Sequence, residues 1–411
     1  MIVPYKIALE MFKDEVMKAF EEVIDSGMLI LGEKTRKFEE IFSASHERKH
    51  GIAVNSDTSA LEAALIALSW KLDGMPSDKH AIYDLSDTVV LMPDTAFYGC
   101  VNVALRLGAK VITVPSKVLN GVMCTVDQVV DTFKSFGLGS KKTIFMAVYT
   151  AGTTGADSVE LIRLLRDMGV PTVEDCAHAH GAKYSDGRLA GSEGDIATFS
   201  FYATKMIHSG EGGMLLVDDD DVAEFLRTYR NYGKDPNGDP IFADSAIIGY
   251  NWRMTEFQAA IGSILWENYD KVYRERKKIA DVYDHFFRSA GGHTDRLVYR
   301  LLVKSGKLEP NLYRYIVMVP GLRSHADNEK VYGALKARGI LLQAKCNSKP
   351  LWRFRVFENH PNFFGYLPSG GLLGSDAESY SISHLCLPIY PTMSEDEAEK
   401  VAASLLEVVS E

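Results

Sequence analysis

The sequence has no apolar run of membrane-spanning length, no closely spaced cysteine pair, no excess of positive charge, no internal repeat and no low-complexity tract. Each absence excludes something. A helix crossing a bilayer needs about 20 mainly apolar residues, and charge interrupts the opening MIVPYKIALEMFKDEV too early for a signal peptide. The five cysteines (Cys100, Cys124, Cys176, Cys346 and Cys386) are scattered and odd in number, so neither a disulfide framework nor a zinc site is expected. A reducing cytoplasm is the expected location. A formal net charge of -10 argues against nucleic acid or an anionic membrane as general partner.

What the sequence does contain is a strand and helix rhythm. At 411 residues it exceeds the usual single compact domain, and two are expected. Apolar positions at helical spacing over 12–25 and after residue 31 predict two amphipathic helices. Short β-branched runs then recur at 51–55, 88–92, 110–115, 143–148, 170–174, 196–200 and 213–217. Strands alternating with helices predict an α/β fold with a mostly parallel, seven-stranded sheet covered on both faces, within a large domain spanning 1–250. Residues 251–411 are expected to form a smaller α/β domain, opened by one long helix over 255–287. Residues 232–249, rich in Gly, Pro and Asp, read as a long loop.

Ligands of such sheets bind beyond the carboxyl ends of the strands, and three stretches there carry chemistry. In GIAVNSDTSAL a strand turns directly into a helix, so the amides of Asp57, Thr58 and Ser59 lie at a helix N-terminus able to receive a phosphate. The competing reading is ordinary capping by Ser56 or Asp57, and the Asp57 carboxylate is expected to turn away and cap. In VPTVEDCAHAHGA, Asp175 ends a buried strand, where an acid needs a partner, and a pyridinium nitrogen is one candidate. His178 and His180 alone make a weak metal motif, and no metal is expected. In IATFSFYATKMIHSGEGGMLLV, Lys205 lies between two buried strands with Ser200 just before it. A solvated hairpin lysine and a Schiff-base lysine both fit that pattern.

The order of SDTSAL, PDTAF, VEDCAHAHGA, GSEGDIATFSFYATK, GEGG and GYNWRMTEFQAA resembles the DegT/DnrJ sugar aminotransferases, which have the fold type I architecture of pyridoxal-phosphate enzymes. The resemblance implies that Lys205 holds pyridoxal phosphate as a Schiff base and that Asp175 pairs with its ring nitrogen. It further implies that Thr58 with neighbouring amides and Ser200 hold the phosphate, that Phe97 stacks on the ring, and that Asn251 reaches the cofactor of a second subunit in a homodimer. The implied activity is transfer of an amino group from an amino acid, glutamate or glutamine, to a keto-sugar, commonly nucleotide-linked. A dehydratase or lyase on the same cofactor, a non-nucleotide acceptor and a silent scaffold are the alternatives. Three positions depart from the family pattern. His178 stands where the family has Gln beside the cofactor's phenolic oxygen, with a charge expected to depend on pH. Asp57 replaces a glycine, and KCNSKPLWRFR (345–355) replaces HYxxPLH. Lys345 and Arg353 of that run, with Arg253, are the expected substrate contacts, and a basic, solvent-exposed loop is the competing reading of the run.

Overall fold

The computed structural model describes residues 7–73, 83–235, 244–289, 299–300, 310–365 and 376–410. Helices Lys13–Ser26 and Glu33–Ser45 precede the sheet, as their periodicity predicts. Seven strands follow: β1 (His50–Val54), β2 (Val89–Pro93), β3 (Lys110–Val114), β4 (Thr143–Val148), β5 (Thr172–Asp175), β6 (Ile196–Ser200) and β7 (Gly213–Val217). Later come β8 (Tyr299–Arg300), β9 (Tyr315–Met318), β10 (Phe363–Phe364) and β11 (His384–Leu387). The large sheet runs β1-β7-β6-β5-β4-β2-β3-β10, so the expected seven strands gain an eighth from far along the chain. Only two residues of β10 pair, parallel to β3, which is too short a run to register as a strand in the sequence. β7 is antiparallel to both β1 and β6, and the other pairings are parallel. Every residue of β4, β5, β6 and β7 is buried, because helices cover both faces.

The smaller sheet is antiparallel, with β9 between β11 and β8. Its own core joins Leu385 and Leu387 to Ile279 and Tyr283, to Leu335, and to Val401 and Leu405 of the closing helix Glu395–Ser410. The single helix expected over 255–287 is two, Glu256–Glu267 and Tyr269–Ser289. Asn268 separates them because its side-chain amide donates to the Ile264 carbonyl at 2.9 Å and competes with the helical ladder. The first of these helices packs on Glu33–Ser45. Glu256 is buried and accepts from the amides of Gly32, Lys34 and Thr35 at 2.8–3.0 Å, supplying a carboxylate to a helix N-terminus whose capping residue, Gly32, has no side chain to offer. Part of the expected 232–249 loop, residues 236–243, lies outside the described residues. Among those described, no helix is long and apolar enough to cross a membrane.

Candidate active site

Pairing in the sheet brings the chemistry together. Asp175 ends β5 opposite Thr198 of β6, and Ser200 ends β6 opposite Gly213 of β7, which also pairs with Val54 at the end of β1. After Val54 the chain turns over the start of β7 into helix Asp57–Asp73. A Cβ at Gly213 would lie 2.4 Å from the Ser56 carbonyl oxygen, so only glycine lets the turn pass that closely. A cavity of about 570 Å³ opens there. Asp57, Thr58, Phe97, Asp175, His178, Ser200, Lys205 and Lys345 all line it.

Lys205 sits in a hairpin whose pairing continues past the strand ends, with Phe201 N–H donating to Gly212, Ala203 to Gly210 and Ser209 to Phe201 at 2.8–2.9 Å. Its own amide bonds the Tyr202 carbonyl, and its Nζ lies 5.4 Å from the centre of the Tyr313 ring. The lysine is therefore on a hairpin, as its plainest reading has it, yet its amine is directed into the cavity. Asp175 accepts from the Cys100 thiol at 3.0 Å and the Ala177 amide at 2.9 Å. Burial raises its pKa, and these two donors together with Lys205 oppose the rise.

Asp57 departs from its expected role. Ser56 caps the helix by accepting from the Ser59 amide at 3.1 Å. The Asp57 carboxylate, one residue further on, turns inward, and its Oδ1 is buried with no hydrogen-bond partner. Burial first, and Asp175 next, push its carboxyl up to about 8. The amides of Asp57 and Thr58 precede the first intrahelical bond and remain available to an anion. Ser59 is held inside by Asn55, at 2.7 Å, and does not line the cavity.

His178 also differs from expectation. Its Nδ1 accepts from the Ala151 amide at 3.3 Å, so the neutral ring carries its hydrogen on Nε2. Burial, then the charges of Lys205 and Arg314, hold its pKa well below the ordinary value, and its charge does not change around neutral pH. His180 instead packs between Phe199 and Phe201. Phe97 is 47% exposed and lies over the start of helix Tyr98–Arg106, where a Cβ at Gly99 would approach its ring to 2.9 Å.

Two expected substrate contacts, Arg253 and Arg353, are not in this cavity, and Asn251, expected at the cofactor of a second subunit, lies outside it as that role requires. Asn251 is exposed and bridges to Asn231. Arg253 donates to Asn231 at 2.8 Å and stacks on Tyr232. Arg353 points outward to Glu378 at 3.4 Å. In their place the cavity contains Tyr313, Arg314, Cys346 and Asn347, which the sequence reading missed. An arginine within LYRYIVMVP was the available signal, since a charge in an apolar strand needs a reason. Asn311 fixes this segment by donating to the His178 and His180 carbonyls at 2.7 and 2.9 Å.

The residues fit a pyridine ring with an aldehyde and a phosphate. An amine, a buried carboxylate held by two donors, and a helix N-terminus with free amides surround one cavity, while the orphaned Asp57 Oδ1 awaits a donor or a proton.

Comparison with known proteins agrees. The model of the DegT/DnrJ/EryC1/StrS aminotransferase family matches residues 10–406. The GDP-perosamine synthase of Caulobacter vibrioides is 29% identical, over 91% of this chain and 89% of that protein. The dTDP-3-amino-3,4,6-trideoxy-alpha-D-glucose transaminase of Micromonospora megalomicea is 27% identical, over 99% and 98%. The solved structure of DesV from S. venezuelae superposes with a TM-score of 0.81 at 25% identity, covering 100% of this chain and 98% of that one. Helicobacter pylori PseC, an aminotransferase, shares the fold with a TM-score of 0.78 at 22% identity over 96% of each chain. The large sheet is thus that of the fold type I enzymes, and the chain belongs to the DegT/DnrJ/EryC1/StrS aminotransferase family as a pyridoxal-phosphate-dependent transaminase.

Proposed function

We propose that the protein moves an amino group from glutamate or glutamine to a nucleotide-linked keto-sugar. The observation that carries this reading is the convergence of Lys205, Asp175 and the Asp57–Thr58 amides on one cavity. Pyridoxal phosphate, when bound, supplies the electron sink that allows an amino group to leave one carbon and enter another. Asp175 would pair with the ring N–H and stay ionised against it, and Thr58, Ser200 and the helix amides would hold the phosphate. His178 would donate Nε2–H to the phenolic oxygen, and Phe97 would stack on the ring. The free amine of Lys205 would take the proton from the donor's α-carbon and return it on the other side of the exchange, as base and then acid. The relatives acting on GDP- and dTDP-sugars support a nucleotide-linked acceptor.

A homodimer belongs to the same reading. Leu29 and Ile30 are exposed beside the segment holding Asn251, as are Tyr232, Ile248 and Tyr250. A second copy would cover them and receive Asn251 in its own cavity. Mixing Asn251→Ala with Lys205→Ala chains tests this, since shared sites regenerate one intact site per mixed dimer and isolated sites regenerate none. For the reaction, the purified chain is mixed with pyridoxal phosphate and then glutamate. A visible absorbance band that glutamate bleaches, with 2-oxoglutarate released in step with aminated sugar, is expected. Absence of a band that Lys205→Ala removes ends the reading.

A further inference from the structure

We propose that Cys346 and Cys386 form a reversible redox pair in the cavity wall: a hydroperoxide oxidises the Cys346 sulfur, Cys386 converts it to a disulfide, and the new bond draws the 343–347 segment toward β11. All five cysteines are free thiols, and no step of the proposed amino transfer uses these two. Cys346 belongs to KCNSKPLWRFR, the run that departs from the family pattern. Cys386 is fully buried on β11, opposite Ile316 of β9. On its other side β11 meets Gln343, whose N–H donates to the Cys386 carbonyl at 2.9 Å. The chain then bends, and Cys346 returns to the same residue. The Cys386 thiol donates to the Cys346 sulfur, and the Cys346 N–H donates to the Cys386 sulfur. Both side chains pack in one cluster with Ile316, Met318 and Tyr380.

The two sulfurs differ in access. Cys346 is half-buried and lines the 570 Å³ cavity, so a small oxidant reaches it, whereas Cys386 is shielded behind it. They also differ in charge. The donated Cys386 thiol, and then the charges of Arg314 and Lys205, hold Cys346 below the ordinary thiol range against the effect of burial. Arg314 also donates a hydrogen bond to this sulfur. Burial instead raises Cys100, Cys124 and Cys176, and the bond to Cys346 together with burial raises Cys386. The thiolate is the reactive form. One cysteine of the five is therefore activated and reachable, and the sulfur it touches belongs to a second cysteine, which is the arrangement a reversible sensor requires.

In the first step the Cys346 thiolate attacks one oxygen of the hydroperoxide, the O–O bond breaks, and the other oxygen leaves and takes a proton as water or an alcohol. The sulfur is now a sulfenic acid. Cys386 then gives up its proton and attacks that sulfur, so the S–O bond breaks, the S–S bond forms and water leaves. Two electrons pass from the two thiols to the peroxide, and a reducing dithiol returns them. A disulfide needs the sulfurs about 2.05 Å apart, closer than a hydrogen bond holds them. Cys386 is fixed by β9 and by Gln343, while Cys346 sits on a bend outside any helix or strand, so Cys346 is the one that moves. Its neighbours move with it. Lys345 is tied to the Ser381 carbonyl and Asn347 to the Thr95 carbonyl, and Arg314 loses an anionic partner. Asp175, Lys205 and the Ser56–Thr58 turn belong to the large domain and stay in place. Oxidation should therefore slow the amino transfer without releasing pyridoxal phosphate, and this last consequence alone rests on the transaminase reading.

The test treats the reduced full chain with hydrogen peroxide, digests it without reductant and maps the peptides by mass. The peptide holding Cys346 is expected joined to the one holding Cys386, and dithiothreitol should separate them. In Cys386→Ser, dimedone should trap a sulfenic acid at Cys346, whereas in Cys346→Ser residue 386 should stay a free thiol. Iodoacetamide should label Cys346 in the native chain at least tenfold faster than Cys100 or Cys124. With pyridoxal phosphate, the oxidised chain should keep its coloured adduct, bleach with glutamate at least fivefold more slowly, and recover after dithiothreitol. The redox pair is overturned if peroxide leaves both thiols free, if the link joins another pair, or if dimedone marks Cys386 in place of Cys346. A link that leaves the bleaching rate unchanged overturns the displacement of the wall. A chain that forms the link but no coloured adduct, oxidised or reduced, keeps the redox pair and ends the transaminase reading.

Discussion

Replacing Asp57 by Asn probes the electrostatics of the cavity floor directly. The carboxyl titrates near 3.8 in its ordinary state and is pushed up to about 8 in the folded chain by burial and by Asp175. Between those values the folded protein binds a proton that the unfolded chain has released, so stability falls as pH rises through the window and is lowest above about 8. At about 1.4 kcal/mol per tenfold in proton affinity, the window has a ceiling near ~6 kcal/mol. Water entering an open cavity lowers this, and about 3 kcal/mol is the expected cost at pH 9. Asn keeps the shape and removes the charge. In the cofactor-free protein the Asp57→Asn midpoint should therefore lie close to wild type near pH 5 and rise above it by about 3 °C at pH 9, for a chain of this size. Thermal unfolding across that pH range, followed by circular dichroism, reads the gap. Parallel curves, or a gap that narrows with pH, would refute the placement of an ionisable pair at Asp57 and Asp175.

Lys205→Ala should abolish the coloured adduct with pyridoxal phosphate while changing unfolding free energy by less than about 1 kcal/mol, because the amine faces the cavity rather than the core. A large loss of stability on denaturant titration would contradict that. Glu256→Ala should cost about 2–4 kcal/mol in urea titration, since three backbone amides at the start of helix Glu33–Ser45 lose a charged acceptor. Cys100→Ala removes one of the two donors holding the Asp175 carboxylate. Asp175 should then titrate higher still, and cofactor affinity measured at pH 6 against pH 8 should fall more steeply toward acid than in the wild type.

The strand runs and the helix-first turn at Asp57 were legible because they rest on local patterns, period, burial and punctuation; the same patterns put Lys205 and Asp175 next to strand ends, and only the order of motifs gave those two residues a role. Other features depend on what meets what in space. Nothing in GMLLV states that β7 runs antiparallel, since alternation and burial are blind to direction. Asn268 interrupts a pattern that is periodic on both sides of it, and only its bond to Ile264 reveals the break. Lys345 and Arg353 occupy one basic run, yet the tight turn Leu351–Arg353 sends Arg353 to Glu378 and leaves Lys345 at the cavity. Arg314 stayed hidden because it lies one residue before β9 of the smaller sheet, and the Asn311 bonds that dock this segment against the His178 loop join residues more than 130 positions apart.

The paired hairpin beneath Lys205 bears on what turnover costs in order. In the proposed reaction the lysine would release its partner and engage again, and the loose element would be one side chain, whose frozen rotamers are worth roughly 2 kcal/mol. An unpaired loop of about six residues, reordered at each cycle, would pay roughly 6–12 kcal/mol. With Ala203 and Ser209 already bonded to Gly210 and Phe201, that entropy is settled once, when the chain folds, and the rate of the chemistry need not carry it.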